Sequence, residues 1–146
     1  MQRGLQSNIH KYTGVPNEMN IEKLTEDEIK DLILQKQLQW IKLCQDNFIV
    51  FAEAVWEDFI YRKTKDPKQY GHHQIIAESF QDIADGDAKR LIINMPPRHT
   101  KSEFASYLFP AWYIGKYPKK KIMQVSHNAE LASRFGSKVR NLMNTP

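Results

Sequence analysis

KRLIINMPPRHTKS, residues 89–102, is the stretch that decides the expected fold. It runs from an apolar, β-branched segment through a Pro-Pro loop to Lys101 and Ser102, and a helical pattern follows. This order of strand, loop, Lys-Ser and helix is typical of a phosphate-binding loop. A helix N-terminus offers unpaired N–H groups and a partial positive charge to phosphate. Lys101 would reach the β- and γ-phosphates of ATP, and the Ser102 hydroxyl would contact Mg²⁺.

The loop departs from the general phosphate-loop pattern, because Met95 and Thr100 stand where glycine is usual. A Cβ atom at position 100 restricts the backbone where phosphate approaches closely. The two prolines lack N–H donors, but they lie at the strand end of the loop, and the amides of residues 99–103 remain available. The alternative interpretation is a strand, a proline-rich turn and a helix capped by Thr100. Both interpretations remain open from the pattern alone.

Length and composition set limits on the class of protein. The chain has 146 residues, 41% of them hydrophobic and 11% aromatic, which indicates a globular domain of ordinary size. No apolar run approaches the roughly 20 residues that span a bilayer, and the first residues lack the apolar segment of a signal peptide. A single cysteine excludes an internal disulfide framework. The net charge of +4 permits a nucleic-acid partner without requiring one.

The chain divides into three predicted regions: a flexible arm over 1–20, a helical N-terminal region over 21–70, and the first part of an ATPase domain over 71–146. A capping box at Thr25 and Glu28 predicts a helix to about Cys44. An aromatic helical pattern over 48–59, which we expect to pack on the core, precedes a charged surface loop at 62–71. The next predicted helix begins at His72 and ends at Gly86.

Two strands are predicted, at 90–95 and at 121–126, each followed by a helix. Pro110 should kink or end the first of these helices. The second helix begins near Asn128 and carries Arg134 and Lys138 on a face that can meet a polyanion. The expected fold class is therefore α/β, with N-terminal helices before an incomplete parallel-sheet sandwich. Because two parallel strands do not make a stable sheet, we expect the chain to be the front of a longer protein.

Four stretches carry a resemblance to a known family: FIVFAEAVW at 48–56, HHQ at 72–74, RLIINMPPRHTKS at 90–102 and VSHNAELA at 125–132. From about residue 47 onward the chain resembles the N-terminal ATPase region of the large terminase subunit of tailed phages. The resemblance implies a RecA-like P-loop NTPase, with ATP and Mg²⁺ as cofactors. It also implies that the motor packages double-stranded DNA into a capsid. The acidic Walker B pair and a nuclease domain would lie beyond Pro146, so this chain alone should not hydrolyse ATP efficiently.

The resemblance also implies partners and a location. The partners would be double-stranded DNA, a portal protein and a small terminase subunit, with a homo-oligomeric ring in the full-length protein and no membrane. The location would be the host cytoplasm, at the procapsid and not in the mature virion. Within the chain, the resemblance assigns catalysis to Lys101 and Arg98, and a metal contact through ATP to Ser102. The implied nucleotide-binding set is Gln74, Pro97, Arg98, His99, Thr100, Lys101 and Ser102.

Several assignments keep an alternative. Gln74 would read adenine, or it is an exposed helix residue. Arg98 would switch between ATP and a catalytic carboxylate, contact phosphate directly, or pair with a structural carboxylate. Ser126 and His127 would face DNA or the hydrolysis site, or form a helix cap. His72 and His73 are interpreted as helix-start and surface residues.

Two other functions compete with the packaging motor. One is a helicase-like or recombination P-loop ATPase, which shares the glutamine, the phosphate loop and the following strand. The other is a non-catalytic binding module, in which region 25–60 docks a partner and Thr100 leaves the loop vestigial. Dependence of ATP binding on Lys101 separates the first two functions from the third.

Overall fold

The structure is a computed structural model that describes residues 25–56 and 71–144. Its helices are α1 Glu26–Asp46, α2 Phe48–Val55, α3 His72–Asp85, α4 Lys101–Glu103, the π-helical turn Phe104–Leu108, α5 Phe109–Lys116 and α6 Ala129–Met143. From α4 to α5 the chain is one continuous helix over 101–116. The expected arm at 1–20 and nearly all of the expected loop at 62–71 lie outside the described residues.

The predicted α/β sandwich is wrong for the part of the chain that the structure describes. Residues 90–95 and 121–126 were expected to be strands, but no strand or sheet occurs within 25–56 and 71–144. A strand requires a ladder of backbone hydrogen bonds, and no backbone–backbone bond joins either segment to another described segment. Some of the apolar side chains of segment 90–95 contact the helical core instead. Ile93 and Met95 pack against the core of helices, whereas Ile92 is 86% exposed.

The predicted helix boundaries are confirmed where a local side chain or glycine sets them. Thr25 and Glu28 form the reciprocal capping box that begins α1. Gly86 ends α3 with a left-handed φ of 90°, a conformation that glycine adopts without a Cβ penalty. The Asn128 side chain accepts from the Leu131 N–H at 2.8 Å and begins α6. Each signal acts within four residues, so the sequence alone suffices to locate it.

Phe48 forms the centre of an aromatic core between α2, α3 and the helix 101–116. Its ring lies 5.8 Å from Phe80 and 5.9 Å from Phe104, both edge-to-face, and 5.2 Å from Trp112. Such pairs contribute about 0.5–1.5 kcal/mol each beyond the area they bury. The described parts of the regions predicted at 21–70 and 71–146 share this core. The core therefore fixes α3 and the helix that follows the Pro-Pro loop in one arrangement.

Pro110 lies inside the helix 101–116 and does not end it. Proline lacks the N–H that would bond the carbonyl four residues earlier, at Ser106. The helix widens to a π-turn over Phe104–Leu108 just before the proline. The side-chain amide of Gln124 donates to the Ser106 carbonyl at 3.3 Å. Segment 121–126 is thereby attached to the helix at the carbonyl that Pro110 leaves without its α-helical donor.

Gln81 of α3 joins the junction between α1 and α2 to the rest of the fold. Its Oε1 accepts from the Phe48 N–H at 3.0 Å, which supplies a cap that the Asn47 side chain does not. Its Nε2 donates to the Asp46 carbonyl and to Asp85. The hydrogen bond from the Gln81 amide, together with the nearby Lys116 ammonium, lowers the pKa of the Asp85 carboxyl.

Candidate phosphate-binding site

Two left-handed residues shape the loop that precedes the helix 101–116. Arg98 has a φ of 65° and Thr100 a φ of 62°, whereas His99 between them has no positive φ. A left-handed conformation costs an L-residue about 1–2 kcal/mol, and for a β-branched threonine it is a genuine outlier. Alternation between the two hands turns successive backbone N–H groups towards one side, which makes an anion-binding concavity. The loop therefore holds backbone strain directly before the helix start, and such strain clusters at functional sites.

Lys101 and Ser102 lie where the loop becomes helix. The Lys101 ammonium donates to the Met95 carbonyl at 3.5 Å, so its side chain folds back across the loop. Ser102 is exposed in the first turn. Thr100 occupies the N-cap position, but its side chain makes no capping hydrogen bond to the described first turn. The interpretation of Thr100 as a helix cap thus lacks its hydrogen bond, and the first-turn N–H groups receive no bond from that side chain.

His73 attaches the loop to α3, a role that the sequence analysis missed. Its Nε2 lies 2.8 Å from the Thr100 hydroxyl oxygen. Its ring stacks on Phe104 at a centroid distance of 5.5 Å and an interplanar angle of 11°. His72 and His99 are also neighbours, with ring centroids 6.0 Å apart. The pattern HHQ shows a helix start, but nothing in it indicates which histidine meets residue 100.

Glu103 and Lys138 determine the charge beside the loop. Both oxygens of the Glu103 carboxylate accept from the Lys138 ammonium, at 3.0 and 2.9 Å. The same ammonium lies 5.0 Å from the centre of the Tyr107 ring. A carboxylate one residue after Ser102 would repel a phosphate, and the ion pair offsets that repulsion. Lys138, predicted to contact DNA, is thus engaged with α4.

A cavity of about 360 Å³ adjoins Lys101 and Ser102. Its other lining residues are Phe80, Leu91, Ile93, Ala105 and Ser106. Gln74 lies in the first turn of α3, next to His73, and its amide donates to Glu78 at 2.7 Å. The contact of His73 with Thr100 brings the start of α3 to the loop, whereas the hydrogen bond of the Gln74 amide stays within α3.

The remaining predicted residues lie at the loop tip and at α6. Pro97, Arg98 and His99 are exposed, and the His99 Nδ1 donates to the Pro97 carbonyl at 2.9 Å. Arg134 is exposed on α6. The Asn128 amide donates to the His127 Nε2 at 3.2 Å. The residue that caps α6 is Asn128, so His127 contacts the cap but does not form it. Ser126 is half-buried in the segment before it.

Binding of Mg²⁺ at this loop would require phosphate oxygens of the nucleotide as ligands. Within the described ranges, no group of three or more His, Cys, Asp or Glu side chains could hold a metal ion. Mg²⁺ usually keeps several waters and is bound by one or two carboxylates together with substrate phosphates, and in phosphate-loop proteins a Ser or Thr hydroxyl also contacts it. The exposed Ser102 hydroxyl fits that requirement.

A second cavity, of about 370 Å³, lies between α1 and α5. Trp40, Ile41, Phe51 and Trp112 make it apolar, and burial raises the pKa of the Cys44 thiol beside it to about 11. A thiol with so high a pKa is a poor nucleophile at neutral pH. Lys116 also lines this cavity, but its ammonium is paired with the Asp85 carboxylate at 3.1 Å. The cavity is therefore a weaker candidate for anion binding than the loop.

Comparisons with known proteins identify no family for the chain, so the assignment of its function depends on its own residues. None of the helices in 25–56 and 71–144 combines the length and apolarity needed to cross a lipid bilayer. Protein-family models, curated proteins and solved structures give no match to the chain.

Proposed function

We propose that residues 94–103 bind the phosphates of Mg²⁺-ATP, and that the chain is the nucleotide-binding N-terminal part of a motor that packages double-stranded DNA. In this proposal the loop N–H groups and the Lys101 ammonium bind the phosphates. The Ser102 hydroxyl contributes to Mg²⁺ binding. Arg98, at the exposed tip, lies within the loop that faces the nucleotide.

The single observation that carries ATP binding is the pair of left-handed residues, Arg98 and Thr100, directly before an uncapped helix start. Strain of this kind persists only where the surrounding structure over-determines it, and it clusters at functional sites. A turn that only connected two elements would gain stability from glycine at these positions. The proposal depends on the loop and its helix and needs no sheet.

Lys101 gives the proposal its electrostatic component. The contact of its ammonium with the Met95 carbonyl is at the outer limit of a hydrogen bond, 3.5 Å. Exchange of a neutral carbonyl for phosphate oxygens would turn a long bond into a charge-assisted one. The pairing of Glu103 with Lys138 favours this exchange, because it neutralises a carboxylate that directly follows Ser102 in the chain.

The packaging role is supported by the resemblance of the four sequence stretches to terminase large subunits. The exposed Arg134 on α6 is the proposed DNA contact. Portal protein and small terminase subunit are the proposed protein partners. A binding assay between the chain and a cognate portal protein tests this part, and absence of binding would leave only the nucleotide site.

Titration of the chain with Mg²⁺-ATP tests the nucleotide site. We expect Lys101→Ala to weaken binding tenfold or more, because a hydrogen bond to a charged group contributes about 1.5–3 kcal/mol. The matched control is Lys119→Ala, which removes an exposed lysine from the turn after α5. Equal affinity of the Lys101→Ala variant and the unmodified chain would contradict the proposal.

A further inference from the structure

We propose that His73 is a positioning residue for the phosphate loop: it holds Thr100 in the left-handed conformation that turns the loop N–H groups towards phosphate. This inference rests on the proposed function for its effect on ATP. The hydrogen bond on which it depends belongs to the fold itself. It connects the rigid aromatic core to the most strained residue of the loop.

The direction of the hydrogen bond follows from a count of protons. The Thr100 hydroxyl donates to the His99 carbonyl at 2.6 Å. A hydroxyl has one proton to donate, so towards His73, 2.8 Å away, it must accept. His73 therefore carries its proton on Nε2 and is the donor. The Thr100 hydroxyl thus donates one hydrogen bond, to the His99 carbonyl, and accepts another, from His73.

The His73 ring is itself immobilised by the core. It lies almost parallel to the ring of Phe104, which is fully buried. One and two turns further along α3, Ala77 and Phe80 are buried in the same core. The contact with Phe104 therefore ties the position of Nε2 to the buried core. A donor fixed in this way can select one conformation of the residue that it meets.

Threonine at position 100 makes such a support necessary. Glycine would adopt a φ of 62° without a Cβ penalty, whereas the β-branched side chain opposes it. The same side chain supplies the hydroxyl that His73 binds. Thr100 thus introduces the backbone strain. It also supplies the hydroxyl through which His73 of α3 offsets that strain.

The test is a double-mutant cycle on the full chain, read by Mg²⁺-ATP affinity and by the amide resonances of residues 98–102. His73→Ala and Thr100→Val each remove the hydrogen bond, and valine keeps the branched shape of threonine. We expect each single change to weaken binding about fivefold, the loss of one ordinary hydrogen bond. We expect the double variant to be weakened about fivefold as well, because the two changes remove the same interaction.

His73→Gln is the rescue variant and Ile75→Ala the matched control. Glutamine places an amide donor near the position of Nε2, so it should restore most of the affinity and the loop resonances. Ile75→Ala removes an exposed side chain of the same helix α3 and should change neither. A role in folding alone predicts that glutamine fails to rescue.

The outcomes separate this inference from the proposed function. Independent, multiplying losses in the double variant would overturn it, as would unchanged affinity in His73→Ala. If the unmodified chain fails to bind Mg²⁺-ATP, the proposed function falls, and the resonances decide the inference. His73→Ala should then still shift the amides of 98–102, and unshifted amides would overturn the positioning role.

Discussion

Two helices of this protein begin after an apolar segment, and they begin in opposite ways. Before α6, Asn128 has an extended backbone, and its side chain caps the Leu131 N–H. Before α4, Thr100 is left-handed, and its side chain bonds His73 and the His99 carbonyl instead of the described first turn. The side chain at the first start satisfies the Leu131 N–H. The second keeps its first-turn donors uncapped by the Thr100 side chain, at a cost in backbone strain, as the proposed nucleotide site would require.

The two starts also differ in what holds them in place. Phe104 and Leu108, one and two turns after Thr100, are fully buried. In α6 the buried residue is Val139, more than two turns after Asn128. Tertiary packing fixes the first helix start, whereas a local cap defines the second. Substitutions at Phe104, Asn128 and Arg98 test this difference between the two starts.

Phe104→Ala should have the largest effect, a loss of about 3–5 kcal/mol in the free energy of unfolding. The change leaves a cavity beneath the strained loop, against the rings of Phe48 and His73. Urea denaturation measures it. Phe135→Ala in α6, where the side chain is half-buried, is the control and should cost clearly less. Equal losses would show that packing does not distinguish the two starts.

Asn128→Ala should cost about 1 kcal/mol, the usual contribution of a side-chain cap. Thermal denaturation provides the measurement. Asn128→Asp retains an oxygen that can accept from Leu131 and adds a favourable negative charge at the helix start, so it should cost little. A loss in the aspartate variant as large as in the alanine variant would mean that the cap does not hold α6.

Arg98→Gly should raise stability, by up to about 1 kcal/mol, when no nucleotide is present. The gain is relief of the left-handed conformation, reduced by the greater freedom of glycine in the unfolded chain. The comparison variant is His99→Gly, at a neighbouring position without a positive φ. The shift in melting temperature of each variant, relative to the unmodified chain, measures its change in stability. Destabilisation by Arg98→Gly would show that the arginine side chain contributes more than its backbone costs.

The sequence predicts those parts of the fold that depend on neighbours along the chain. The Thr25 capping box, the Gly86 terminus and the helix start near Asn128 belong to this class, and all three are confirmed. The strands predicted at 90–95 and 121–126 belong to another class. Their β-branched residues indicate an extended segment, but a strand exists only with a partner, and partner choice is not a local property.

The candidate site shows the same division. Lys101 and Ser102 could be identified from their order after the Pro-Pro loop. The left-handed conformations of Arg98 and Thr100 could not, because neither is glycine. The contacts of His73 with Thr100 and of Lys138 with Glu103 join residues 27 and 35 positions apart. Such contacts follow from the packing of α3 and α6 on the helix 101–116, which the sequence pattern does not encode locally.

The π-turn before Pro110 has a geometric consequence for the loop. A π-turn holds one residue more than the α-turn it replaces. Each residue of an α-helix corresponds to a rotation of about 100° and a rise of about 1.5 Å. Residues 101–103 are therefore out of phase, by about one residue, with a continuous α-helix extended backwards from α5. The direction in which Lys101 and Ser102 point is thus set partly at the π-turn Phe104–Leu108, several residues away from the loop itself.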